Sequence, residues 1–368
     1  MSLRHDLRVV RAVALNDLRI SLTERTYILL SVALPINFLF LFLLFVLTGG
    51  LAPTAVVLED RGPFAQQFLA ALENAHSFDV RQTTAAEARD LLAQGRIVAI
   101  VTVPASFDAD LRAGRRVELP VVVNNLQQDF TNDIRRAVPL AITSFYAQAF
   151  PDQVVVQARE VDLQPQDTGY IQYLSVSILV IGLMVGGLLQ AGSNVAREHE
   201  RETIKELLLS PAKRWAIQAG KALGAATLNV LSAAVTLAVV VLVVGVSPVH
   251  WAETVGFALL LIAIFVSLGS LLGVLVRRRQ SLIPLVFGLS LPLFFISGAF
   301  GPVNWGAPIA TAIAYVSPAY YAIGVLQHAF HGFQTTQTSP ALDAAILAVA
   351  AVASIAASAL VLRRTLVH

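Results

Sequence analysis

Long apolar runs separated by charged stretches set the pattern of this chain. Residues 27–48, 168–196, 222–246, 254–276, 281–300 and 344–362 contain no Asp, Glu, Lys, Arg or His. A helix needs roughly 20 apolar residues, at about 1.5 Å each, to cross a hydrocarbon core about 30 Å thick. The pattern predicts six transmembrane helices. The first run follows a polar lead and exceeds the roughly 7–15 apolar residues of a signal peptide, so it reads as an uncleaved anchor.

Between the first two spans the pattern changes. Residues 49–167 alternate short apolar stretches with amphipathic ones. Strands are predicted at 55–58, 78–81, 97–103 and 119–123. Helices are predicted at 64–74, 85–93 and 107–112, with a longer one over 132–149. Such alternation argues for an α/β domain. The fold class is therefore membrane α-helical, with an extracytoplasmic α/β domain inserted between helices 1 and 2.

Two further segments have their own patterns. In residues 1–26, Leu3, Leu7, Val10, Ala14 and Leu18 recur on one helical face flanked by Arg4, Arg8 and Arg11. This predicts an amphipathic elbow helix in the headgroup layer, or more simply a basic flank that fixes topology. Residues 301–338 are apolar yet broken by Pro302, Pro308 and Pro318. The pieces 307–316 and 319–330 are too short to span, and the reading is a re-entrant helical hairpin on the outer side.

Charge orients the spans. With the N-terminus inside, Arg4, Arg8, Arg11, Arg19, Arg25, the basic residues of 197–221, Arg277–Arg279, and Arg363 and Arg364 all fall on one side. The short opposite segments 247–253 and 301–343 hold no Lys or Arg. The positive-inside rule then places both termini, and the 363–368 tail, in the cytoplasm of a multi-pass protein of the cell inner or plasma membrane. The remaining 10 basic residues lie in segment 49–167 beside 15 acidic ones. Long domains translocate largely regardless of charge.

Composition narrows the chemistry. Hydrophobic residues make up 56% and charged residues 14% of the 368, which excludes a disordered chain and argues against a single soluble globule. Zero cysteines exclude disulfides, cysteine–zinc sites and thiol catalysis. A net charge of +2 gives nucleic-acid binding no bulk support. Asp108 and Asp110 near a helix start read as cap chemistry rather than metal ligands. The amide- and acid-rich stretch 124–133 reads as a solvated connector or a ligand loop. His328 and His331 lack a third metal ligand. No metal and no cofactor is expected.

The spans lack buried ionisable groups, which argues against proton- or voltage-driven transport, while neutral ligands for sodium stay open. Asn37, Gln190, Asn229 and Ser290, with Thr236 and Ser267, are the main intramembrane polar residues; they either bond neighbouring helices or line a pathway. The only Gly-Lys, Gly220-Lys221, is followed by Ala222, so the chain has no phosphate-cradling loop for ATP. It is expected not to be an enzyme.

The loop after the second span holds Glu198, Glu200, Arg201, Glu202, Thr203, Lys205, Glu206 and Leu207, then Ser210 and Pro211. Glu202 and Lys205 can pair on a helix surface. Ser210 is placed to cap the next helix, with Pro211 at its first position. The reading is a short amphipathic helix over 195–209 along the cytoplasmic face.

This loop resembles that of the ABC-2 type permeases of ATP-binding-cassette exporters. Their pattern is roughly Glu-Arg/Lys-x-Gly-Thr-x-Glu-x-Leu-x-x-Ser-Pro, with a Gly-Lys about ten residues on. Glu200, Arg201, Thr203, Leu207, Ser210, Pro211, Gly220 and Lys221 fit it, while Glu202 and Lys205 depart from its glycine and second acid. Asn16-Asp17-Leu18-Arg19 fits the family's elbow helix. Ser297-Gly298, Pro302 and Val316–Tyr321 fit its outer region. The large insert resembles the drug-, lipid- or antibiotic-export subgroup.

The resemblance implies a permease subunit that moves an apolar or amphiphilic compound outward, driven by separate cytoplasmic ATPase subunits. It also implies a second permease subunit, identical or a sister. The ATPase-coupling surface would comprise Asp17, Arg19, Glu198, Glu200, Arg201, Glu202, Thr203, Glu206, Leu207, Ser210 and Pro211. Asn37, Gln190, Asn229 and Ser290 would line the pathway. The alternatives are a membrane-anchored ligand-sensing or assembly module, and sodium-linked efflux.

Overall fold

The computed structural model describes residues 3–23, 33, 35–41, 43–44, 51–75, 78–124, 128–153, 169–201, 212–301, 303 and 308–365. They form two compact units, one of Met1–Leu44 with Gln164–His368 and one of Phe45–Leu163.

The smaller unit has the predicted α/β alternation. In chain order it holds β1 (Ala52–Leu58), α2 (Pro63–Asn74), β2 (Phe78–Gln82), α3 (Ala85–Ala93), β3 (Ala99–Val103), α4 (Phe107–Arg112), β4 (Val121–Val123) and α5 (Gln128–Ala149). The sheet order is β2-β1-β3-β4. The first three strands are parallel, with Ala52 opposite Phe78 and Thr54 opposite Ala99, and β4 pairs antiparallel to β3. Successive strand residues face opposite sides. Val56, Val101 and Val103 therefore pack with Phe68, Phe107 and Phe145, while Ala55, Val57 and Ile100 pack with Ala88 and Leu91 of α3. The Phe68, Phe107 and Phe145 ring centroids lie 5.7–5.9 Å apart, a tight aromatic core.

Cap chemistry appears here, on a helix other than the one expected. The Asp108 carboxylate accepts from the Phe64 and Ala65 amides at 3.2 and 2.9 Å, capping α2 from 43 residues away. Asp60 accepts from the amides of Gly62 and Asp108, both at 2.8 Å. Asp110 pairs with Arg115. Asp108→Ala should destabilise this unit by about 1–2 kcal/mol, the usual size of a lost cap, read as a lower denaturant midpoint.

The amide bonds from Asp108 and Gly62 hold the Asp60 carboxyl below its ordinary value of 3.8. A depressed carboxyl stabilises the fold fully above that ordinary value, and the contribution is lost as pH falls through the folded-state value. Amide exchange at Gly62 and Asp108 should therefore lose protection on acidification below about pH 4, after correction for intrinsic rates. Asp60→Asn should show the weakened protection at every pH.

The larger unit begins with α1 (Leu3–Thr23). It continues with α6 (Tyr170–Glu200), α7 (Arg214–Val239, ending in a π-helical turn Val240–Val244) and α8 (Trp251–Val276). Then follow α9 (Arg279–Ile296), α10 (Pro308–Val316), α11 (Pro318–His331) and α12 (Pro340–Thr365). Among the described residues, α6, α7 with its π turn, α8, α9 and α12 are long and apolar enough to cross a membrane, matching the second to sixth predicted spans. The predicted first span, 27–48, lies largely outside the described residues; 35–41 are helical. Helices α10 and α11 meet at an 85° bend, so the pair is either one broken span or a re-entrant element. Ser317 sits at the bend, accepts from the Ala319 amide at 3.2 Å, and meets Ser297 at 3.2 Å.

Helix α6 is the centre of this unit, buried throughout its apolar length. It packs most extensively against α8. Small residues make that approach possible. A Cβ at Gly269 of α8 would lie 2.7 Å from the Gly187 carbonyl oxygen, and one at Gly273 would lie 2.5 Å from that of Gly192.

Candidate functional site

The basic end of α6 gathers the charged residues of three other elements. Helix α1 turns small and acidic residues toward its neighbouring helices. Asp6, Ala14, Asp17 and Ser21 are buried, whereas Leu7 is 57% exposed. The buried residues follow steps of three and four, so they form a second helical stripe. This stripe packs against α7, where glycines let the backbones close in. A Cβ at Gly220 would lie 2.7 Å from Val13 Cβ and 2.8 Å from the Val10 carbonyl oxygen.

Four charges close the junction. Arg197 Nη2 lies 3.5 Å from Asp17 Oδ1, both side chains about 5% exposed or less. Lys221 Nζ lies 3.6 Å from Asp17 Oδ2 and donates to Glu198 Oε1. Among the described residues, two acids and two bases thus meet in a buried setting. Ser21 Oγ meets Asn194 Oδ1 at 3.4 Å, and Lys213 Nζ meets Asp6 Oδ2 at 2.7 Å. Glu200 Oε1 accepts the Arg279 amide at 2.7 Å, at the start of α9. Within the last turn of α6, then, Arg197 holds α1, Glu198 holds α7 and Glu200 holds α9.

Buried ion pairs of this kind contribute little net stability, because desolvation offsets their attraction, but breaking one is costly. They fix register instead. Here the pairs tie the end of α6 to α1 and α7, and the exposed Glu200 bond to the Arg279 amide ties it to α9.

A family model described as "ABC-2 family transporter protein" matches residues 25–360. The chain belongs to this ABC-2 family. Relatives agree. The Escherichia coli inner membrane transport permease YhhJ is 24% identical over 293 residues, covering 75% of this chain and 76% of the relative. The Escherichia coli probable multidrug ABC transporter permease YbhS is 22% identical over 338 residues, covering 88% of each. The ABC-2 chain is a multi-pass membrane protein and a permease subunit of an ABC transporter, and permeases of this family work with a cytoplasmic ATPase subunit.

The structure distributes the residues expected at the coupling surface. Asp17 and Glu198 are turned inward into the junction. Arg19, Glu200 and Arg201 are exposed. Glu202, Thr203, Glu206, Leu207, Ser210 and Pro211 lie outside the described residues. Residues 195–200 are the last turns of α6, and Arg201 caps it with its amide bonded to the Arg197 carbonyl. Helix α7 starts at Arg214 with Lys213 at its cap position. Lys213 is held by Asp6.

The expected pathway residues have different settings. Asn229 is fully buried, donates to the Leu183 carbonyl at 3.0 Å, and fills the space beside Gly186, bonding α7 to α6. Gln190 and Ser290 are buried, with Gln190 Oε1 and Ser290 Oγ unpartnered, and Asn37 is exposed. Among the described residues, no group of three or more His, Asp or Glu could hold a metal. Sequence reading missed Arg197, Lys213, Lys221 and Asn194 as junction residues, with Gly220 and Gly224, the latter's Cβ position lying 3.3 Å from Asp17 Cβ. The Asp6–Ala14–Asp17–Ser21 spacing was the available signal.

Proposed function

We propose that this permease moves an apolar or amphiphilic compound outward, pairs with a second permease subunit, and is driven by ATPase subunits docked at its basic side. The observation that carries this reading is the last turn of α6, from which three residues reach three other helices. A push on residues 201–214 would reach α1, α7 and α9 together rather than one helix at a time. ATP-driven closure of the ATPases would then tilt a bundle around a pathway between two permeases. The α/β unit would lie outside the cell membrane, at the exit. The chain itself would perform no chemistry and take no cofactor.

In this reading Asp17 and Glu198 transmit the push, and Arg201, Glu200 and Arg19 face the ATPase with the 202–211 stretch. Rim charges of an interface act mainly on association rate and salt dependence. Arg201→Glu should therefore weaken stimulation of the co-purifying ATPase severalfold, more so at low salt, while membrane insertion and thermal midpoint stay unchanged. Unaltered stimulation would remove Arg201 from the interface.

A further inference from the structure

The larger unit contains a cavity that neither the junction nor the expected pathway uses. It has a volume of about 450 Å³ and lies between α7, α8 and α12. That is within the roughly 300–1,000 Å³ of sites that hold small molecules. Alanines make the room: Ala222 and Ala226 on α7, Ala263 on α8 and Ala359 on α12 line it. Its few polar groups are neutral. Gln218 Nε2 reaches across from α7 to Ser358 Oγ on α12 at 3.4 Å, and the hydroxyls of Ser267 and Ser270 line the α8 wall.

Position identifies the occupant. All three wall helices have arginines at the same end. Arg214 opens α7, Arg277 and Arg278 follow α8, and α12 carries Arg363 and Arg364 in its last turn. Arg214, Arg277 and Arg278 are exposed. At about 1.5 Å rise per residue, Gln218 lies about 6 Å below Arg214, Ser358 about 8 Å below Arg363, and Ser270 about 10 Å below Arg277. The cavity is thus an apolar slot whose wall helices end in arginines, with the Gln218 amide and the Ser267 and Ser358 hydroxyls between. Trp215, 48% exposed and lining the cavity, marks the headgroup level at its mouth.

We propose that this cavity binds one anionic phospholipid from the leaflet on the arginine-rich side. The phosphate lies among Arg214, Arg277 and Arg278. The ester carbonyls accept from Gln218 and from the Ser267 and Ser358 hydroxyls, the Ser270 hydroxyl already donating to the Val266 carbonyl. One acyl chain runs along the alanine wall. Basic pockets between transmembrane helices select anionic headgroups in this way. The inference concerns a lipid held by the permease and is independent of what the permease transports.

The test uses the full chain in bilayers of mixed composition with a photoactivatable phosphatidylglycerol, its diazirine on the acyl chain, against phosphatidylcholine with the same chain. Phosphatidylglycerol should label peptides spanning 215–226, 263–270 and 355–359 in preference to phosphatidylcholine. Ala263→Trp, which fills the slot, should abolish that labelling. Arg214→Gln with Arg278→Gln leaves the slot intact at two exposed positions and should reduce the preference by roughly tenfold or more, since each basic residue near a charged surface is worth roughly fivefold. Equal labelling by the two lipids overturns the proposal. So does labelling that survives Ala263→Trp, displacement of the lipid by an amphiphilic dye such as rhodamine 6G, or cross-linking of the slot to a second copy of the chain.

Discussion

Asp17→Ala should loosen α1 from the membrane unit at a cost of about 3–5 kcal/mol, because it removes the carboxylate that faces both buried bases, Arg197 and Lys221. The chain has no cysteine, so an introduced pair reports without background. Ser21→Cys with Asn194→Cys, at positions whose side chains meet at 3.4 Å, should form a disulfide in the otherwise native chain. It should form poorly when Asp17→Ala is added. A second variant separates stability from transmission. Asp17→Leu with Arg197→Met removes both charges, and apolar replacement of a buried pair is often neutral or stabilising. That double variant should regain thermal stability above Asp17→Ala. If the charges transmit the push by fixing register, ATPase coupling should stay impaired in it.

The second large effect is expected at Gly220. A side chain there starts 2.7–2.9 Å from Val13 and the Val10 carbonyl oxygen, closer than real Cβ contacts come. Gly220→Val must therefore move α1 or α7. Overpacking of this kind costs about 1–3 kcal/mol or more. The thermal midpoint should fall, and the Ser21→Cys/Asn194→Cys bridge should form more slowly. Gly288 provides the contrast, since nothing lies within 4 Å of a Cβ built there. Gly288→Ala in the middle of α9 should be stabilising by about 0.5–1 kcal/mol on helix propensity alone. If Gly220→Val and Gly288→Ala behave alike, close packing of α1 on α7 is not what Gly220 provides.

What could be read from the sequence follows the range of each interaction. Spans two to six were legible because a bilayer demands a local run of apolar residues, and such runs survive without knowledge of neighbours. The α/β unit was legible for a similar reason. Its helix at 85–93 and the one at 107–112 have the predicted limits, and each strand lies within a few residues of its expected place. The end of α6 was not legible. Arg197, Glu198 and Glu200 look like a solvated charged flank, and their partners lie as far as 180 residues away. The buried stripe of α1 was not legible either, because Asp6, Asp17 and Ser21 look like part of a solvated polar face. That stripe is favoured by Gly220, Lys213, Lys221, Asn194 and Arg197, all distant in the chain. Asp108 is the same lesson in small. Its residue type announced a cap, but the helix it caps begins 45 residues earlier at Pro63.

In the proposed mechanism this chain supplies the moving path and a separate ATPase supplies the energy. Proteoliposomes holding the permease with its co-purifying ATPase, assayed with a panel of amphiphilic fluorescent dyes, test it most directly. The account predicts that at least one dye is moved against its gradient when both components and ATP are present. None should be moved by the permease alone. Uphill movement by the permease in the absence of the ATPase, with or without a sodium gradient, would contradict it.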